Sequence, residues 1–176
     1  ANIAREKQLE LLVLAEADVN DVIRQDSEML EAMLVLGQIY KDRELFDVAQ
    51  NHFTRVIDGL RAIQRELTYE ERQSLAQAYT ERGDIHLKRN DRNLARSDFN
   101  RAIETDKDFA PAYLNLGRAA RQVGDHTVAR QNYRKALELD PKNTEYELEL
   151  AILLHQYLSE GNYAQEAIQH YEAYLE

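Results

Sequence analysis

Five pairs of residues in this chain stand 34 positions apart: Tyr79 and Tyr113, Gly83 and Gly117, Ala95 and Ala129, Phe99 and Tyr133, Ala102 and Ala136. Gly37, Ala49 and Phe53 precede Gly83, Ala95 and Phe99 by 46, which is the same unit with 12 residues added. Ala151 falls where the next glycine is due, and Ala167 with Tyr171 repeat the alanine-to-aromatic spacing after a short insertion near 159–162. A fixed period of this length belongs to chains that stack one supersecondary unit, each burying its apolar face on its neighbours.

Each unit reads as two helices. Tyr113, Leu116 and Ala120 recur at helical spacing, Gly124 and Asp125 supply a turn, and Ala129, Tyr133, Ala136 and Leu137 form a second apolar stripe that Asp140 and Pro141 stop. Gly37, Gly83 and Gly117 lie inside helix patterns, where each costs roughly 0.5 to 1 kcal/mol against alanine. Close helix packing is the expected compensation, with Ala49, Ala95 and Ala129 as the matching small residues on the facing helix. Thr68 and Glu71 have capping-box spacing, so a helix starts about two turns earlier than the period requires. Two lengthened helices would then form a projecting ridge, although a loop over 64–68 is equally allowed.

With this pattern the chain resembles the tetratricopeptide repeat family, whose 34-residue unit is a helix pair with the same alternation of small and large residues. The resemblance implies an all-α, helical-hairpin solenoid of about four repeats, wound as a right-handed superhelix. It divides the chain into an N-terminal helix or degenerate repeat (1–29), a repeat with an extended second helix (30–63), an insertion with a capped helix start (64–75), two regular repeats (76–109 and 110–143) and an irregular C-terminal repeat (144–176). Where the family often has tryptophan, this chain has Met33, Tyr79, Tyr113 and Glu147. Glu147 and the missing glycine at Ala151 mark the last unit as a departure.

The resemblance also implies that the first helices line a concave surface that binds a protein or peptide. Carried over by offsets from the glycines, the groove residues are Thr80, Asp84 and Lys88, then Asn115, Arg118 and Arg121, then Glu149 and His155. Family members that grip the acidic tail of a chaperone use lysine and asparagine, then asparagine, then lysine and arginine. The aligned positions here are Thr80 and Asp84, Asn115, then Glu145 and Glu149. One position of five matches and two basic positions are acidic, which argues against that ligand. Arg118 has two readings: neutralisation by Glu149 or Asp84, or capture of a partner carboxylate together with Asn115, and a pair in the free protein can exchange on binding.

Composition narrows the alternatives. The formal net charge of −10 repels a phosphate backbone, so nucleic acid is not an expected partner. The longest apolar runs, at 11–15 and 151–154, fall far short of the roughly 20 residues that span a bilayer. Without cysteine there is no thiol catalysis or thiolate zinc site, and the compartment stays open, with the cytoplasm favoured. The five histidines include no pair at the spacing of a helical metal site. No nucleophile elbow, P-loop or dinucleotide fingerprint is present. The expectation is a non-enzymatic scaffold without a cofactor. Two rivals remain: a protein that assembles with its own copies through an uncapped C-terminal end, and a regulatory region of a larger protein. Tyr171 is expected in the core by its alignment with Tyr133 and Phe99, whereas Tyr174 and Leu175 point to that open end.

Overall fold

The computed structural model describes residues 28–157 and 163–175. They form eight helices: α1 (Glu28–Asp42), α2 (Phe46–Arg61), α3 (Tyr69–Lys88), α4 (Arg92–Thr105), α5 (Ala110–Gln122), α6 (His126–Leu139), α7 (Thr144–Tyr157) and α8 (Tyr163–Leu175). The fold is all-α, a succession of tetratricopeptide-like helical hairpins. Two compact units divide the chain between Arg65 and Glu66. The described part of the first is the α1–α2 hairpin, and the second holds the hairpins α3–α4, α5–α6 and α7–α8. The helical pattern at 1–27 and the insertion at 159–162 lie outside the described residues.

Three hairpins turn in the same way. Glu44, Asn90 and Gly124, at equivalent places in the period, have positive φ of 61°, 65° and 80°. In each, the amide of the next residue donates back to a carbonyl five positions earlier: Leu45 to Tyr40 at 2.9 Å, Asp91 to His86 at 2.8 Å and Asp125 to Ala120 at 3.0 Å. This closure satisfies carbonyls that the helix end leaves without partners. Asn and Gly adopt the left-handed conformation readily, whereas at Glu44 it costs roughly 1–2 kcal/mol. The local turn chemistry therefore supports the hairpin in two units and is carried by the helix contacts in the third.

Helix starts follow the local sequence. Thr68 Oγ1 accepts from the Glu71 amide at 3.2 Å, and Glu71 Oε2 accepts from the Thr68 amide at 2.8 Å, which starts α3 at Tyr69. That helix runs 20 residues, against 13 for α5 and 14 for α7. Asp125 caps α6 by accepting from the Val128 amide at 3.1 Å.

The glycines are occupied differently from the small-on-small contact expected from the sequence. A Cβ placed on Gly37 would lie 2.6 Å from the Phe53 ring, one on Gly83 2.6 Å from the Phe99 ring, and one on Gly117 closer still to the Tyr133 ring. Each glycine is a slot for the aromatic residue four places after the facing alanine. Ala49, Ala95 and Ala129 are fully buried one turn earlier; they let the helices close so that the ring can cross the glycine.

The last hairpin lacks this slot, and Tyr171 is a correction. It is only half-buried and stands edge-on to His155, with ring centroids 6.0 Å apart, while Phe99 and Tyr133 are fully buried. Ala151 stands fully buried where the other hairpins have glycine, and a Cβ at that position leaves no room for a ring laid across the helix as in the other three. The core there is instead built from Tyr146, Leu150, Leu153 and Leu154 with Tyr133 and Ala136. Among the described residues no helix is long and apolar enough to cross a membrane.

Candidate functional site

The first helices of the second unit carry the candidate site. Arg118 and Arg121 lie three residues apart on α5 and therefore share a face, as do Glu145 and Glu149 on α7. Arg118 donates through Nε to Glu149 Oε1 at 2.8 Å and through Nη2 to Glu145 Oε1 at 2.7 Å; Arg121 donates through Nη1 to Glu149 Oε2 at 2.8 Å. Two arginines thus share one carboxylate between the helices, and Glu145 adds a second acceptor. Burial opposes the charge on Arg118, but the hydrogen bonds and charges of Glu145 and Glu149 outweigh it and raise the guanidinium pKa. Glu149 is the inner member, its side chain 13% exposed, and Glu145 the outer one at 55%.

Two buried polar atoms accompany this lattice. Asn115, one turn before Arg118, is 9% exposed, and its amide oxygen has no hydrogen-bond partner among the described residues. The Tyr133 hydroxyl is also buried, beside the Glu149 carboxylate, which acts on it by charge and by hydrogen bonding. Burial, then the negative charge of Glu149, pushes the Tyr133 pKa up, so the phenol stays neutral.

The sequence-derived residues separate into groups. Asn115, Arg118, Arg121 and Glu149 lie on neighbouring faces of α5 and α7. Asp84 and Lys88 form a 3.2 Å ion pair one turn apart on α3, so Asp84 is not among the acceptors of Arg118. Thr80 is buried, with its hydroxyl donating to the Ala76 carbonyl at 2.8 Å, and it presents no group to a ligand. His155 is exposed and faces Tyr171, apart from the arginine lattice.

One polar pair escaped the sequence reading. Arg82 donates Nε and Nη2 to the two oxygens of buried Asp98, both at 2.8 Å, and ties α3 to α4. His86 Nε2 lies 3.9 Å from the same carboxylate; burial lowers its pKa, and the attraction of Asp98 only partly offsets this. Asp98 immediately precedes the slot aromatic Phe99, and a carboxylate in that register needs a cation on the facing helix. Among the described residues no cluster of three potential metal ligands occurs.

A sequence model described as tetratricopeptide repeat matches residues 80–144 and 114–176, more than half of the chain. The chain belongs to the tetratricopeptide repeat family. Among solved tetratricopeptide structures, the crystal structure of MamA is similar at a TM-score of 0.67 and 19% identity, covering 97% of this chain and 91% of that one. The first TPR of Spaghetti (RPAP3), bound to HSP90 peptide SRMEEVD, gives 0.61 and 23%, covering 76% and 96%. The Arabidopsis OM64 TPR domain gives 0.59 and 24%, covering 73% and 97%. At these identities the likeness is one of fold. No curated protein sequence matches the chain.

The lattice makes a ranked prediction. Glu149→Gln removes the shared, mostly buried acceptor and should lower unfolding free energy by about 1–3 kcal/mol in urea titrations. Glu145→Gln, at the exposed edge, should cost no more than about 1 kcal/mol. Equal losses would contradict the assignment of Glu149 as the inner member.

Proposed function

We propose that this chain is a non-enzymatic protein-interaction scaffold whose repeats take a partner peptide or helix in a concave groove lined by α3, α5 and α7. The observation that carries this reading is the unpartnered Asn115 amide oxygen beside the Arg118–Glu149–Arg121 lattice. A buried acceptor without a donor costs about 1–3 kcal/mol, and rotation of the Asn115 amide toward the groove lets a peptide N–H relieve it. Arg118 supplies the second anchor. Its bond to exposed Glu145 contributes only about 0–1 kcal/mol, so a partner carboxylate can replace Glu145 while Glu149 still holds the guanidinium in place. Asn115, Arg118, Arg121 and Glu149 are the contact residues of this reading, with Asp84 and Lys88 at the flank.

The Spaghetti repeat is bound to an HSP90 peptide, SRMEEVD. Asp84, Glu145 and Glu149 oppose a ligand that acidic in this groove. A segment with one carboxylate and otherwise neutral or basic residues fits better.

The reading is tested by affinity capture from lysate with the wild-type chain and with the double variant Asn115→Ala/Arg118→Glu, matched in helicity. A protein retained by the wild type and lost by the variant is the expected outcome; identical capture by both would overturn the groove assignment. Association between copies is a second reading, favoured by Ile168 and Leu175, 56% and 80% exposed on one face of α8. One unchanged monomeric species in sedimentation velocity over about a hundredfold range of concentration would exclude it.

A further inference from the structure

A hollow of about 450 Å³ lies between α4 and α6 over the C-terminal half of α5. Three helical stripes make it. Leu116, Ala119, Ala120 and Val123 give α5 an apolar floor; Arg92, Arg96 and Asn100, at successive turns of α4, form one wall; Asp125, Val128 and Asn132 of α6 form the other. Val123 is 56% exposed and Val128 39%, so apolar surface reaches the rim. Leu116 and Ala119 pack below against Leu87, Ala95 and Phe99, which makes the floor continuous with the core.

The same positions one repeat later show why this place is open. Ala119 and Ala120 correspond to Leu153 and Leu154, both fully buried. Val123 corresponds to Tyr157, which stacks on His126 with ring centroids 4.2 Å apart. Arg96 corresponds to Arg130, which lies over the Tyr163 ring at 4.8 Å, and Asn100 to Arg134, which is paired with Glu166. The later repeat fills its floor and engages its cations. Here two alanines leave the floor low, and neither Arg92 nor Arg96 has an ion-pair or ring partner among the described residues. The only carboxylate in the lining, Asp125, is engaged as the cap of α6.

Another hollow, of about 970 Å³, lies between α6 and α8 against Leu150. Its charged walls are joined to each other or to a neighbour, Arg134 to Glu166 and His170 to Glu147. It offers no comparable unpaired cation.

We infer that the hollow over α5 is a second docking site, which takes an acidic peptide segment with one aliphatic or aromatic anchor. The anchor covers Ala119 and Ala120, its size set by the leucines that occupy the corresponding space one repeat later. Carboxylates on either side of it pair with Arg92 and Arg96, which stand one turn apart and offer bidentate geometry. The Asn132 amide nitrogen is held by the Val128 carbonyl at 2.8 Å, which leaves its oxygen to accept from a peptide N–H. The lining sets two arginines against one carboxylate, so the local charge of the hollow is positive although the formal charge of the chain is −10. Its unpaired arginines separate this surface from the face of α5 and α7, where Arg118 and Arg121 are already paired with Glu145 and Glu149.

Selection of short random peptides displayed on phage, with the full chain as bait, tests the assignment. Enriched peptides should carry Asp or Glu beside an aliphatic or aromatic residue. Their affinity should fall about tenfold or more for Arg92→Glu/Arg96→Glu and stay unchanged for Asn115→Ala/Arg118→Glu, so failure here and failure of the groove are read separately. Ala119→Leu, which fills the floor, should give the same loss at unchanged helicity; if that variant misfolds, the exposed arginine pair decides alone. Enrichment of no peptide that depends on the arginines would overturn the proposal, as would dependent peptides that lack carboxylates. Self-association of the wild type that Arg92→Glu/Arg96→Glu abolishes in sedimentation would assign the hollow to a second copy and overturn it as well.

Discussion

The contact on which the hairpins depend is an aromatic ring laid across a glycine. In three hairpins a helix gives up a side chain at one position, and the ring of Phe53, Phe99 or Tyr133 occupies the space. A glycine inside a helix is unfavourable by roughly 0.5–1 kcal/mol, but a buried Phe side chain contributes roughly 1.5–3 kcal/mol. The exchange therefore favours the slot wherever the ring is fully enclosed. Where Ala151 removes the slot, Tyr171 leaves the core and four large residues of α7, Tyr146, Leu150, Leu153 and Leu154, take over the burial. The last helix pair is held by this different packing solution.

The slot also fixes where the polar residues stand. Gly117 adjoins Arg118 in the chain, and the ring that crosses it belongs to Tyr133, whose hydroxyl is buried close enough to the lattice for the Glu149 charge to influence it. Seating of that ring therefore sets the register in which α5 offers Arg118 and Arg121 to α7. On the other side of the same helix, Ala119 and Ala120 leave the floor that Arg92 and Arg96 overlook. One helix thus serves two surfaces of opposite character: a clip where cation and carboxylate already meet, and a hollow where the cations have no acid.

The 34-residue period made the helix pairs and their turns legible, because it is a direct consequence of stacking identical units. The start of α3 was legible for a local reason, the Thr68–Glu71 reciprocal cap. Relationships between helices were harder to read. Offsets along the chain offer Arg118 either Glu149 or Asp84, but they cannot choose between them or add Glu145, since that choice depends on helix rotation and separation. Thr80 reads as a groove residue because a threonine that bonds back to its own helix, as it does to Ala76, carries the same sequence signal as one facing a ligand. Asp98 carries no local signal, because a buried acid is recognised by its partner, here Arg82, 16 residues away. The low floor at Ala119 and Ala120 depends on how the helices pack, as the full enclosure of their counterparts Leu153 and Leu154 shows.

If the ring-in-slot contact is what holds a repeat closed, the cost of filling the slot must depend on the ring. A double-mutant cycle on Gly117→Ala and Tyr133→Leu, read by urea unfolding, measures that dependence. Gly117→Ala alone should destabilise by about 1–3 kcal/mol through overpacking, despite the better helix propensity of alanine. In the Tyr133→Leu background the same change should cost little or become stabilising. An equal cost in both backgrounds would contradict the account.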